Sequence, residues 1–252
     1  NRKLRLKRRA IHSTSIDNYF LPPDYIANMI ASYSDEARRR EIEAEFDVFE
    51  GQVFKEFSHE THVVDTRGFR AWTQGDPPAE WPRLLAVDVG GSSPWAFIWS
   101  AIDPAVNIVF YDEVYKTTSN VDELADLALP KMRHLERTEL KFKAKVIDYE
   151  NKVAAEDLRR RGIAMTNARK MNKTGDGGSV ARLSGYLHPH PKHSYPEWHP
   201  RAGQKGSPRA FFTQGVPNLI RELPQQQWDQ EASSDRLRDV MDRRIANHAT
   251  DC

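Results

Sequence analysis

The stretch Leu84-Leu85-Ala86-Val87-Asp88-Val89-Gly90-Gly91-Ser92-Ser93 constrains this chain more than any other. An uninterrupted apolar run such as Leu84 to Val87 is what a strand buried on both faces requires. Asp88 ends the run, and Gly90-Gly91 turns the chain. Two further apolar segments follow. One runs from Pro94 through Trp95, Phe97 and Trp99; the other, Val106 to Tyr111, leads into Asp112-Glu113-Val114-Tyr115. Connections this short, one glycine-rich and one built on Asp103-Pro104, predict an antiparallel meander of three strands. A carboxylate ending the first, central strand would face a cleft where a metal or phosphate can sit. Read alone, the stretch also fits a turn aspartate that bonds nearby backbone, or an Asp-x-Gly phosphate-binding hairpin.

The next segments extend the pattern. Asn120 reads as the cap of a helix from Val121 to about Leu135, which Pro130 is expected to kink or split. Lys145 to Tyr149 reads as a strand with a second acid, Asp148, at its end. Asn151 to Arg161 reads as a helix closed by Gly162, and Ile163 to Ala168 as a further strand. Three strands, helix, strand, helix, strand make a mixed α/β layer with two acids on adjacent strand ends. Ser179 to Leu187 resumes a helical spacing. The polar segment His188 to Ser207, rich in Pro, Gly and His, reads as a loop or extended hairpin. Its histidines 188, 190 and 193 have no Cys or acidic partner nearby, which argues against a transition-metal site. Leu237, Val240, Met241, Ile245 and Ala249 predict an amphipathic helix over 235–252.

Composition excludes several functions. A net charge of +1 over 252 residues rules out a globally basic nucleic-acid binder but leaves basic clusters at Arg2 to Arg9, Arg38 to Arg40, Arg159 to Arg161 and Arg169 to Lys173. Runs like these are usually solvated helix faces. The lone Cys252 excludes an internal disulfide and fits a reducing compartment. No apolar run is long enough to span a bilayer, and no signal sequence is visible. The expectation is a soluble, intracellular protein. Its abrupt ends suggest a piece of a longer chain.

Together these motifs resemble the C-terminal nuclease half of the large terminase of tailed phages, the DNA-packaging motor. Asp88 in Val-Asp-Val-Gly is similar to the family's first catalytic aspartate, and Asp148 in Val-Ile-Asp-Tyr to the second. Val216 to Leu223 followed by Trp228 resembles the segment before the last helix. Asn247-His248-Ala249-Thr250-Asp251 resembles an Asp-His-Ala-x-Asp-Ala signature, making Asp251 the third carboxylate, although Asn247 and Cys252 depart from it. Ser13 to Ile26 is similar to the tail of the ATPase half, and Gly51 to Phe54 to the passage into the nuclease. No phosphate-loop motif is present.

The resemblance implies a ribonuclease H-like α/β fold, an ATPase-tail and linker segment over 1–68, and a nuclease domain over 69–252. It implies an endonuclease acting on concatemeric double-stranded DNA in the host cytoplasm, with the portal protein and small terminase subunit as partners. Three converging carboxylates repel one another by about 4 kcal/mol per close pair at about 4 Å, so they call for hard divalent cations, Mg²⁺ or Mn²⁺. Two such ions roughly 3.5–4 Å apart can activate a water and stabilise the leaving oxygen. Asp88, Asp148 and Asp251 are the expected ligands, with Glu113 as a candidate auxiliary; Asp239 and Asp242 compete for the third place. Arg169, Lys170, Lys173 and Arg182 are the expected DNA-phosphate contacts. Two alternatives remain: a Holliday-junction resolvase or transposase-like nuclease, and a non-catalytic module that docks on portal or capsid.

Overall fold

The computed structural model describes residues 22, 51–66, 72, 76–90, 92–132, 142–148, 150–168, 178–228, 241, 242 and 245–252. Their architecture follows from side-chain alternation along three central strands: β2 (Arg83–Asp88), β3 (Trp95–Ile102) and β4 (Ile108–Lys116). Trp95, Phe97, Trp99 and Ala101 enter one apolar cluster, whereas Ala96 and Ile98 enter a second. The period of two therefore gives β3 two buried faces. The predicted meander is present, β2 and β4 both pairing antiparallel with β3.

Six shorter strands complete the set: β1 (Val63–Val64), β5 (Phe142–Ile147), β6 (Thr166–Asn167), β7 (His190–Ser194), β8 (Lys205–Ser207) and β9 (Ala210–Thr213). Seven strands form one mixed sheet in the order β1-β9-β4-β3-β2-β5-β6, and β7 pairs with β8 as a separate hairpin. β5 lies parallel to β2, and β9 parallel to β4.

The first face carries α2 (Val121–Lys131) and α3 (Lys152–Arg160), which bury Leu124, Ala125, Ala128 and Leu158 against Leu85, Val87 and Phe97. Asn120 caps α2 by accepting from the Asp122 N–H at 3.0 Å, as its sequence position predicts. Pro130 falls in the last turn, where it ends the helix instead of splitting it. α3 closes on Gly162 at φ 90°, a conformation suited to glycine. Three helices serve the second face or its rim: α4 (Ser179–Leu187), α5 (Pro217–Glu222) and α6 (His248–Asp251).

Residues 51–66, assigned by sequence to the linker, belong to the same compact unit, which spans Gly51–Cys252. Val53 and Phe54 are buried in the second cluster, and β1 pairs parallel with β9. A short helix, α1 (His59–His62), leads into β1 and buries His62. The Nε2–H of His62 donates to the Leu187 carbonyl at 2.7 Å, tying this segment to the end of α4. The expected elements upstream of residue 51 lie outside the described residues.

The amphipathic helix expected over 235–252 does not form where it is described. Met241 pairs in an isolated antiparallel bridge with Trp228, and the Asp242 N–H donates to the Gln227 carbonyl at 2.8 Å. Extended pairing consumes donors a helix would use, and among the described residues of this span only His248–Asp251 is helical. Met241 and Ala249 still bury in one cluster, which is why their spacing resembles a helical face. Among the described residues no helix is long and apolar enough to cross a membrane.

Candidate active site

Strand register brings the first two sequence-predicted acids together. Leu84 pairs with Ala144, Ala86 with Val146 and Val87 with Ile147. The next residues on these two parallel strands are Asp88 and Asp148. Leu84, Ala86, Ala144 and Val146 all face one cavity of about 500 Å³ on the second face of the sheet. By alternation, Asp88 and Asp148 continue those two rows at neighbouring strand ends, about 4.8 Å apart in the pairing direction. Asp148 is half-buried, and its main-chain carbonyl accepts from the Asn167 side chain at 3.2 Å.

The third predicted acid arrives on α6. Ala249 buries in the second cluster, and Cys252 directs its thiol to the Ala96 carbonyl at 3.3 Å, so the helix stands over the start of β3, opposite Asp88. From it, His248 Nδ1 donates to Asp88 Oδ2 at 2.9 Å. Both side chains are about one-fifth exposed, at 22% and 20%. Asp251 accepts from the Asn247 side chain at 3.1 Å and lines the rim of the same cavity.

What fixes α6 is a buried carboxylate that no sequence motif singles out. Glu222, at the end of α5, is fully buried. One oxygen accepts the Ala249 and Thr250 N–H groups at 2.8 and 3.3 Å; the other accepts the Tyr115 hydroxyl at 2.6 Å. It thus supplies an acceptor for backbone donors that a short helix leaves unpaired at its N-terminus. Gln226 adds a second tie, donating to the Ala246 carbonyl at 2.8 Å. Tyr115 is held well above the usual phenol range by burial and by its bond to Glu222.

Glu113 also has a local task. One oxygen accepts from the Asn218 N–H at 2.9 Å and from the Asn218 side chain; the other accepts from the Leu219 N–H at 3.2 Å. Its carboxylate therefore caps the first turn of α5. Burial raises its pKa, opposed by those donated hydrogen bonds. Asp242 takes part in the bridge beside Met241, away from the predicted helix face. Asp239 lies outside the described residues, as do Arg169, Lys170 and Lys173. Arg182 stands exposed on α4.

Among the described residues no group of three or more His, Cys, Asp or Glu side chains is arranged to hold a metal ion. The structure therefore brings Asp88 and Asp148 to the ends of two paired strands and joins Asp88 to His248, but does not gather Asp88, Asp148 and Asp251 into one ligand cluster. The donors at these strand ends are nevertheless the right kind for a hard divalent cation: carboxylate oxygens.

Comparison with known proteins places the fold. The fold is ribonuclease H-like and is shared with the nuclease domains of large terminases. The nuclease domain of the P22 large terminase superposes with a TM-score of 0.54 at 12% identity, over 81% of this chain and 89% of that one. The large terminase of a thermophilic bacteriophage, solved with ATP-gamma-S, superposes with a TM-score of 0.58 at 18% identity, over 96% of this chain and 53% of that one. In sequence, the chain is similar to the terminase large subunit of Escherichia phage T5, at 37% identity over 89 residues, 35% of this chain and 20% of that protein. The resemblance read from the motifs is thus met in both sequence and fold. This chain spans about half the length of the thermophilic bacteriophage terminase and a fifth of the T5 subunit, and no family model matches it.

Proposed function

We propose that this chain is the nuclease-bearing part of a phage packaging-motor large subunit and cleaves concatemeric double-stranded DNA by hydrolysis. The observation that carries the proposal is the parallel pairing of β2 with β5, which ends at Val87 and Ile147, the residues just before Asp88 and Asp148, in a fold common to terminase nuclease domains. In this reading residues 1–68 include the tail of an ATPase half, and the portal protein and small terminase subunit are partners of the assembled motor.

Asp88 and Asp148 would hold divalent metal, Mg²⁺ or Mn²⁺, with Asp251 as the third carboxylate. The bound metal would activate water and offset charge on the cleaved phosphate. The chain's own residues set the geometry. With Asp88 and Asp148 at neighbouring strand ends, mutual repulsion of two close carboxylates would favour a cation between them. His248 holds Asp88 in one orientation through Oδ2. Glu222 seats the helix that carries both His248 and Asp251. For Asp251 to join the other two, α6 must shift or Asp251 must leave Asn247. Arg169, Lys170, Lys173 and Arg182 are proposed to contact DNA phosphates near the cut.

The test is cleavage of supercoiled plasmid with Mn²⁺, Mg²⁺ or EDTA, comparing the unaltered chain with Asp88→Asn. Metal-dependent nicking that is lost in a folded Asp88→Asn variant is the expected result. Undiminished cleavage by that variant would overturn the assignment.

A further inference from the structure

The histidine-rich segment 188–207 forms the β7–β8 hairpin, and the proposed hydrolysis does not use it. It feeds into β9, whose first residue, Ala210, pairs with Ile108 at the start of β4. β4 starts at the end of the sheet where β3 finishes and β2 begins, so this is the end opposite Asp88. The Trp198 indole N–H donates to Asp103 in the β3–β4 turn at 2.9 Å, which fastens the hairpin's connecting loop there.

Cations and histidines gather on this hairpin. Between His188 and Arg209 the sequence places Lys192, Arg201, Lys205 and Arg209 against a single acid, Glu197. The His190 and His193 rings stack with centroids 4.4 Å apart. Arg209 Nη2 lies 3.3 Å from His193 Nε2, and Lys205 Nζ donates to the Lys192 carbonyl at 3.2 Å. Among the described residues Lys192, Lys205 and Arg209 form no ion pair with a carboxylate. Burial and the neighbouring Arg209, His190 and Lys205 hold His193 below the ordinary histidine range. Positive charge gathered without a counter-charge is relieved by an anion.

We propose that the β7–β8 hairpin is a second phosphate-backbone contact for duplex DNA, at the end of the sheet remote from the carboxylates. Its composition favours DNA over an acidic protein surface. Protein interfaces depend on buried aromatic and aliphatic anchors, whereas phosphate contacts need Lys, Arg and small polar groups. Among the described residues the exposed large apolar side chains are Val106, Leu127 and Val153, none of them on the hairpin. Two separated contacts would hold a duplex along the length of the sheet without reading its sequence. The inference rests on the proposed function only in choosing duplex DNA as the anion.

The test is fluorescence anisotropy of a short labelled duplex with the full chain in EDTA, so that binding is measured without cleavage. The Lys192→Ala/Lys205→Ala double variant and Arg209→Gln are compared with the unaltered chain across a salt series, after circular dichroism shows each folded. Each phosphate no longer neutralised should reduce the slope of log K against log salt by about 0.9. The double variant should therefore lose nearly two units of slope and bind roughly ten-fold more weakly at low salt. Unaltered affinity and slope in both variants would overturn the proposal. So would unaltered duplex binding alongside weakened binding to polyglutamate, which would identify the partner as an acidic protein. Plasmid cleavage is scored separately: a chain that binds through the hairpin but cuts with no metal fails the nuclease reading and leaves this one standing.

Discussion

Glu222 sets how firmly the C-terminal end of the chain can serve Asp88. Replacing it with alanine removes an acceptor from two α6 amides and from Tyr115, all three held at 2.6–3.3 Å. Leaving a buried donor unpaired costs about 1–3 kcal/mol. Three donors set an upper range near 3–9 kcal/mol by the same reckoning, but α6 is short and terminal and can swing into water instead. The global loss is then capped by what the docking of α6 contributes, about 2–4 kcal/mol if Ala249 and the two amide bonds are its main holds. Glu222→Gln should cost less, about 1–2 kcal/mol, because its carbonyl can accept the amides while its NH₂ donates to the Tyr115 oxygen, which gives up its own proton bond. Hydrogen exchange read by mass spectrometry separates the two modes. In Glu222→Ala the peptide containing Ala249 and Thr250 should lose protection while β2 and β3 keep theirs, and cleavage should fall in parallel. In Glu222→Gln protection should be largely retained. Unchanged protection of that peptide in Glu222→Ala, or a loss spread evenly over the sheet, would refute the claim that Glu222 acts by seating α6.

Two other perturbations test the turn beside the site and the buried histidines. A Cβ on Gly90 would lie 2.1 Å from the Ser93 carbonyl oxygen, so Gly90→Ala must move the backbone just after Asp88. It should lower cleavage more than it lowers the thermal midpoint, and an unchanged cleavage rate would count against the turn's role in placing Asp88. His199 is buried and its pKa is lowered from 6.5 to about 4, first by burial and then by Arg201. The unfolded chain therefore binds a proton that the folded chain refuses. The contribution of neutral His199 is complete above about pH 6.5 and falls as pH drops toward 4, by up to about 3 kcal/mol. In urea titrations the stability gap between the unaltered chain and His199→Gln should shrink across that window; a gap constant with pH would rule the effect out.

The legible part of this molecule is the part written locally. Leu84–Val87 and the apolar run before Asp148 announce strands, and an acid after each is enough to expect two carboxylates at neighbouring ends. The register of β2 with β5 delivers that arrangement. Asn120 and Gly162 mark helix ends because capping chemistry lies within a few residues of the terminus it serves. What escapes such a reading depends on partners distant in sequence. Val63–Val64 is legible as a short strand but its parallel partner β9 is not, and so the unit begins at Gly51, before the boundary set from sequence. Met241 repeats with Ala249 at a helical interval, yet Trp228 draws it into extended pairing.

The same distinction explains the candidate site. Asp88, Asp148 and Asp251 are nameable because each stands beside a recognisable local pattern. Glu113 draws notice as an acid near a strand end, but no sequence pattern shows that both of its oxygens are taken by α5. Glu222 lies in a noticed segment, Val216 to Leu223, but nothing local marks the residue itself, because its value lies in reaching a helix 27 residues on. Two acids thus build the scaffold: half-buried Glu113 seats α5, and buried Glu222 at the far end of α5 seats α6. β4 holds both through Glu113 itself and Tyr115. The chain of support runs from β4 through α5 to His248 and then to Asp88. The orientation of Asp88 therefore depends on two carboxylates of the scaffold, and the proposed metal site needs either a shift of α6 or the release of Asp251 from Asn247.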